Sequence, residues 1–319
     1  MVKKIAVLTS GGDAPGMNAC IRAVIRTCLF YGIEPYVVYD GYKGLVEGKI
    51  EKVDKKFTQD IINRGGTVIL TSRLPEFVDV NIQKKAIKNL QDLNIDALIG
   101  IGGDGTYRGL RDLAGLGYPV IGLPGTIDND VASTDKTIGF DTALNTICDC
   151  VDKIKDTSSS HQRCSVIEVM GRHCGDLAIF SGIAEAAELT ITFDHRESDE
   201  EVFSKLKEMH DKEKGHAIVI VSEKLMDVKE YAQKIEAATG FETKYEILGR
   251  LQRGGVPTAE DRILASRFGS TAVKLIMNGV VNRVVGIKKN AIVDFDINQA
   301  LQMERDVHQN LISLIDILQ

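Results

Sequence analysis

Acidic residues and glycines come together in three short segments of this chain. GGDGT (102–106) holds Asp104, PGTIDND (124–130) holds Asp128 and Asp130 just after Thr126, and TSGGDAPGMN (9–18) opens with Gly11 and Gly12. Glycine lets a bulky anion approach the backbone, and glycine turns at helix N-termini expose N–H groups to phosphate. A carboxylate beside such a loop is placed to hold a divalent cation or to take a proton. Plainer readings stand next to this one. Gly11, Gly12 and Gly16 also suit a simple tight turn, and Asp104 suits capping a helix that starts near Gly105. The carboxylates of Asp104, Asp128 and Asp130 on one rim favour chemistry, because that much negative charge needs cations or protons beside it.

Carboxylates repel phosphate, so a phosphate site of this kind also requires arginine. Arg73 in TSRLPE (71–76), Arg163 in SSSHQRCSV, Arg172 in EVMGRH, and Arg250 and Arg253 in LGRLQRGG lie beside glycines or at the ends of apolar runs. Each alone suits a surface position. Their repeated placement points to phosphoryl chemistry with Mg²⁺.

The elements that would position these residues are short apolar runs rich in β-branched residues. They are IAVLT (5–9), YVVY (36–39), TVILT (67–71), ALIGI (97–101), PVIGL (119–123), CSVIEV (164–169), LTITF (189–193) and AIVIV (217–221). Most lack alternation, as strands buried on both faces of a parallel sheet should. Between them run helical patterns. Phe140, Ala143, Leu144, Ile147, Val151 and Ile154 recur at three- and four-residue steps, and Ser198 with Glu201 has capping-box spacing. Strand then helix, repeated, predicts a doubly wound α/β fold, in which ligands bind beyond the carboxyl ends of the strands. The loops 9–18, 71–76, 102–106 and 124–130 fall at such ends. Toward the C-terminus, VVGIKKNAIVDFD predicts two strands around a turn at Lys289-Asn290, and the final segment predicts helix.

A length of 319 residues fits two domains. Residues 1–138 plus 256–304 are expected to form one, residues 139–255 plus 305–319 the other, with a cleft between them. The formal net charge of -6 argues against a nucleic-acid binder, which needs clustered cations. The apolar run IAVL stops at TSGGD, too short for a signal-peptide core or a membrane span, so a cytoplasmic protein without a membrane partner is expected. The cysteines form no CxxC pair and read as small buried hydrophobes.

Taken together, LTSGGDAPGMN, GGDGT, PGTIDND, EVMGRHCGD and LQRGG resemble the bacterial ATP-dependent 6-phosphofructokinase family, and the resemblance spans essentially the whole chain. It implies two Rossmann-like α/β domains with the active site in their cleft. It also implies transfer of the γ-phosphate of MgATP to the 1-hydroxyl of fructose 6-phosphate. By matching motif, Asp128 is the base, Thr126, Arg73 and Arg172 stabilise the transferring phosphoryl group, and Asp104 organises Mg²⁺. ATP contacts fall on Gly12, Tyr42, Arg73, Leu74 and the loop Gly102, Gly103, Asp104, Gly105 and Thr106. Sugar contacts fall on Thr126, Ile127, Asp128, Arg163, Met170, Gly171, Arg172, Glu223, Lys244, Arg250 and Arg253. The resemblance further implies a homotetramer in which Arg163 and Lys244 reach a neighbouring subunit's sugar site. An effector site for ADP or phosphoenolpyruvate would use Arg22, Arg26, Lys55, Lys155, Glu188, Lys212 and Lys214.

Departures from the family pattern carry their own expectations. Lys244 and Arg250 replace the usual arginine and histidine, and lysine lacks the planar two-pronged fork of arginine. Lys55 and Lys155 replace arginine, while Glu185, Ala186 and Glu213 stand where glycines are common, which predicts weakened effector control. Gly105 and Gly125 favour ATP as donor, since pyrophosphate-dependent relatives typically carry Asp and Lys there. The competing readings are a pyrophosphate-dependent phosphofructokinase, an NAD or lipid kinase sharing GGDGT, and a non-catalytic sugar-phosphate-binding regulator.

Overall fold

Parallel β-strands alternate with helices along the chain in this computed structural model, which describes residues 2–318. In chain order the first unit holds β1 (Lys4–Thr9), α1 (Met17–Phe30), β2 (Glu34–Val38), α2 (Gly41–Glu47), β3 (Ile50–Lys52), α3 (Val80–Asp92), β4 (Ala97–Gly102), α4 (Asp104–Gly115) and β5 (Val120–Pro124). The chain then enters α5 (Phe140–His161), β6 (Cys164–Val169), α6 (Asp176–Ala184), β7 (Leu189–Ile191), α7 (Asp199–Asp211), β8 (Ala217–Ser222), α8 (Val228–Thr239) and β9 (Thr243–Ile247). It continues through α9 (Ala259–Met277), β10 (Arg283–Lys288), β11 (Ala291–Asp296), α10 (Ile297–Gln302) and α11 (Gln309–Leu318). One unit comprises Met1–Thr142 with Arg253–Arg305, the other Ala143–Gln252 with Asp306–Gln319.

The first unit is built on a seven-stranded sheet of order β11-β10-β5-β4-β1-β2-β3, parallel except where β3 and β11 pair antiparallel at its edges. Successive connections leave β1 in opposite directions, to β2 on one side and β4 on the other, so the loops after β1 and β4 border the switch point where such sheets bind ligands. The second unit has a four-stranded parallel sheet, β7-β8-β6-β9, with its own reversal between β6 and β9. The strands β4, β5 and β8 are buried along their whole length, which explains their unbroken apolar runs.

The expected strand TVILT (67–71) is instead an irregular segment. Leu70 takes φ 61°, and the segment's polar groups go to neighbours other than a strand ladder. The Val68 N–H donates to Asn18 Oδ1, the Asp40 N–H donates to the Ile69 carbonyl, and the Thr9 hydroxyl donates to the Leu70 carbonyl. Buried Ile69 accounts for the apolar character that suggested a strand. Conversely, β3 and β9 have polar, exposed residues and lie outside the expected runs. The hairpin turn at Lys289-Asn290 is present with φ 49° and 66°. The C-terminal helix is divided, with α10 ending before an extended Met303 and α11 resuming at Gln309. No helix among the described residues is long and apolar enough to cross a membrane.

Candidate active site

The three glycine-bearing loops after β1, β4 and β5 are laced together inside the first unit. At Gly102 a Cβ would run into the Ser10 carbonyl and the Thr106 hydroxyl, so only glycine allows this approach. Thr106 Oγ1 donates to the Ser10 carbonyl at 3.0 Å, joining the GGDGT loop to the first loop. Behind it Tyr42 donates its hydroxyl to the Thr106 carbonyl at 2.6 Å and stacks on Phe77 with ring centroids 4.2 Å apart. Burial pushes the Tyr42 phenol well above its ordinary value, so it remains a neutral donor. Tyr42, expected to touch ATP, therefore braces the loop from within.

Asp104 begins α4 but does not cap it. Gly103 occupies the cap position without a side-chain bond, and the Asp104 carboxylate accepts from Arg108 Nε at 2.8 Å on the exposed side of the first turn. Gly105 follows with nothing within 4 Å of where a Cβ would stand, so open space lies over this turn. Thr71 Oγ1 donates to the Gly11 carbonyl at 2.9 Å, which brings the segment carrying Arg73 and Leu74 to the first loop. Arg73 itself is exposed and follows an irregular segment, not a strand. Arg253 enters this same group. A Cβ at Gly12 would collide with its guanidinium, and Arg253 Nη1 donates to the Asp13 carbonyl at 3.2 Å. The arginine expected at the sugar thus lies against the first glycine loop.

The PGTIDND loop leaves β5 beside GGDGT, and a Cβ at Gly103 would stand 3.7 Å from Thr126 Cβ. Thr126 and Asp128 are 8% and 7% exposed, and Ile127 between them is fully buried. The Asp128 N–H donates to Thr126 Oγ1 at 3.1 Å, which fixes the backbone that carries the carboxylate. Asn129 follows in the left-handed region at φ 51°. Its side chain accepts from the Thr137 N–H at 3.0 Å, and the Thr137 hydroxyl donates to the Thr126 carbonyl at 2.7 Å. Sequence reasoning passed over Asn129 and Thr137. The spacing TIDND…T carried the only signal, and it is weak without the fold that closes the loop.

In the second unit, Met170, Gly171 and Arg172 follow β6, Glu223 follows β8, and Arg250 follows β9, all at carboxyl ends of strands. The Met170 N–H donates to Gln252 Oε1 at 3.0 Å and the Arg172 N–H to Glu223 Oε1 at 2.8 Å. Glu223 therefore holds the 170–172 loop. Arg172 takes φ 61° and is exposed, as is Arg250. Arg163 and Lys244 share one carboxylate. Glu242 Oε1 lies 2.8 Å from Arg163 Nε and 3.1 Å from Lys244 Nζ, and the Lys244 hydrogen bond, with Arg163 nearby, holds its carboxyl below the usual range. Two cations are thereby kept together on the exposed side of the sheet edge.

The residues expected at an effector site lie in both units. Arg22 and Arg26 line a surface groove of about 380 Å³ with Phe30 and Lys274, and Arg26 Nε donates to Thr58 Oγ1 at 2.7 Å. Lys55 is exposed nearby in sequence. In the second unit the lysines are already matched: Lys155 with Glu185 Oε2 at 3.0 Å, Lys214 with Glu188 at 2.7 Å, and Lys212 with Glu208 at 2.5 Å. Ala186 and Glu213 keep left-handed backbones, with φ 46° and 57°, at positions where the family commonly has glycine.

The family description "Phosphofructokinase" matches residues 4–276. A Vibrio campbellii protein named ATP-dependent 6-phosphofructokinase is 52% identical over 319 residues and covers all of both chains. Its Vibrio cholerae namesake is 51% identical over the same span. Among solved structures, phosphofructokinase from Saccharomyces cerevisiae has a TM-score of 0.86 at 34% identity, over 99% of this chain and 47% of that one. This chain thus spans about half the length of the yeast chain. A pyrophosphate-dependent phosphofructokinase from Marinobacter aquaeolei, 20% identical, has a TM-score of 0.87 over 97% of this chain and 86% of that one, a likeness of fold alone. With loops, strand order and full-length identity in agreement, the chain belongs to the phosphofructokinase family.

Proposed function

We propose that this chain is an ATP-dependent 6-phosphofructokinase, a cytoplasmic glycolytic phosphotransferase that converts fructose 6-phosphate and ATP to fructose 1,6-bisphosphate and ADP. The observation that carries the reading is the adjacency of two loops: the buried Asp128 loop lies against the GGDGT loop, which is open above Gly105. Asp128 accepts the proton of the sugar 1-hydroxyl as that oxygen attacks the γ-phosphorus. A new O–P bond forms, the bond from phosphorus to the β,γ-bridging oxygen breaks, and ADP departs with that electron pair. Thr126, Arg73 and Arg172 stabilise charge on the transferring group. The backbone at Gly12 and at 102–106 cradles the donor phosphates, and Arg253, lying against Gly12, adds positive charge there.

Mg²⁺ fits this donor set. No cluster of three or more acidic, histidine or cysteine side chains suited to a metal occurs among the described residues. Mg²⁺, however, takes one or two carboxylates and completes its shell with phosphates and waters. Asp104, exposed at the first turn of α4, would hold it after releasing Arg108. When bound, the ion neutralises charge on the donor phosphates.

On the sugar side, Met170, Gly171, Arg172 and Glu223 bind the hexose, while Arg163, Lys244 and Arg250 bind the 6-phosphate, in a homotetramer where the exposed β9 edge approaches a neighbour. Effector control by ADP or phosphoenolpyruvate is weak, because Lys155, Lys212 and Lys214 are already paired. The test is formation of fructose 1,6-bisphosphate by purified protein with Mg²⁺, with ATP and pyrophosphate as parallel donors. Product from ATP alone is expected. Product from pyrophosphate instead would overturn the reading of Gly105 and Gly125, and product from neither would favour a binding protein.

A further inference from the structure

We propose that Asn129 and Thr137 are positioning residues that aim the Asp128 carboxylate through a buried brace closing the loop between β5 and α5; the inference rests on Asp128 being the base. The loop is first pinned at its base. The Thr126 N–H donates to the Ile138 carbonyl at 3.1 Å, and the Ile138 N–H to the Pro124 carbonyl at 2.9 Å, extending the edge of β5. Asp128 lies just inside this closure. Its N–H is taken by Thr126 Oγ1 on one side, and on the other the chain turns through Asn129 at φ 51°.

A left-handed backbone costs an L-residue roughly 1–2 kcal/mol, and asparagine is among the few that accept it routinely. Here the Asn129 side chain is tied down as well. Asn129 Oδ1 accepts from the Thr137 N–H, and Asn129 Nδ2 donates to the Asp135 carbonyl at 3.3 Å. Thr137, 1% exposed, closes the circuit by donating its hydroxyl to the Thr126 carbonyl. Residues on both sides of Asp128 are therefore bonded to a single threonine. With the Asp128 N–H bonded on one side and the Asn129 side chain anchored on the other, the backbone that carries Asp128, and so the Cα–Cβ direction of its side chain, is held. A proton acceptor works only within a narrow range of distance and angle to the attacking hydroxyl, and misplacement by about 1 Å can cost about 100-fold in rate.

Neither Asn129 nor Thr137 is among the residues assigned a substrate contact. Loss of the brace should lower kcat while substrate affinity holds, a split that general loosening of the fold would not give. The variants are Thr137→Val, which removes the hydroxyl at nearly constant volume, Thr137→Ser, which keeps it, and Asn129→Gly, which keeps the left-handed turn without the side chain. Steady-state kcat and KM for both substrates and thermal melting are measured for each, with Asp128→Asn as control. Thr137→Val and Asn129→Gly are expected to lower kcat by roughly 10- to 100-fold with both KM values within about twofold. Thr137→Ser should stay within about threefold of the parent. If Thr137→Val fails to fold, Asn129→Gly decides on the same criterion. Parental kcat in folded Thr137→Val or Asn129→Gly overturns the brace, as does a loss in Thr137→Ser equal to that in Thr137→Val. Full activity in Asp128→Asn instead overturns the base on which it depends.

Discussion

Gly105 shows how a missing side chain defines the donor. It is the second residue of α4, and nothing lies within 4 Å of its would-be Cβ. Gly105→Asp should leave the fold intact, because a carboxylate in the first turn of a helix is favoured by the helix dipole. The new charge would face the donor phosphates across open space, and like charges a few ångströms apart near a protein surface repel by a few kcal/mol. We expect kcat/KM for ATP to fall roughly 100-fold while melting moves by less than about 2 °C, measured by coupled assay and thermal denaturation. Gly125 differs: its Cβ would meet Ile101 Cγ2 at 2.8 Å, so there the smaller residue is needed for packing. At this scale the sequence told which glycines matter but not why. The same was true of Tyr42 and Arg253, expected at ATP and at the sugar from the family resemblance, while the direction of each side chain was not legible.

At the scale of elements, the polar contacts that start α5 and α9 were invisible in sequence. Asp261, in the first turn of α9 and 1% exposed, accepts from the Gly139 N–H, the Thr142 N–H and the Thr142 hydroxyl, binding the start of α5. Burial, against the pull of these hydrogen bonds, raises its carboxyl to about 6. An acid whose folded pKa is raised binds protons more tightly when folded, so its contribution to stability is greatest below the unfolded value and is lost as pH rises to about 6. Asp261→Asn should destabilise the protein throughout, since an amide N–H would face a backbone or hydroxyl donor. The stability gap between parent and variant should narrow by about 1 kcal/mol from pH 5 to pH 7, measured by denaturant titration at each pH. A gap independent of pH would show that Asp261 titrates normally. The strands of the parallel sheets were legible because burial on both faces forces unbroken apolar runs. TVILT misled because Ile69 is buried in an irregular segment, and β9 was missed because an exposed edge strand needs no apolar run.

For the whole molecule, repeated strand and helix made the doubly wound architecture legible, while pairing between distant charges was not. Lys155 with Glu185 and Lys214 with Glu188 are such pairs, whereas Lys212 with Glu208 is a local pair four residues apart. The glycine departures at 185 and 213 had suggested added negative charge; in the fold Glu185 spends that charge on Lys155. An incoming phosphate must displace a carboxylate that is 7% exposed and already in place. ADP at subsaturating fructose 6-phosphate should therefore change the initial rate by less than about twofold, and Glu185→Gly should increase that response several-fold, since a freed, partly buried cation binds an anion more strongly. Strong activation of the parent by ADP would show that the pair opens easily.

Phosphoryl transfer from ATP to fructose 6-phosphate with Asp128 as the proton acceptor is tested at its root by kcat for fructose 1,6-bisphosphate formation by Asp128→Asn. Asparagine keeps the size and the backbone bond to Thr126 but cannot take the proton. A loss of at least about 100-fold in kcat is expected, within the range of general-base contributions, with both KM values nearly unchanged. A variant that turns over at the parental rate would contradict it.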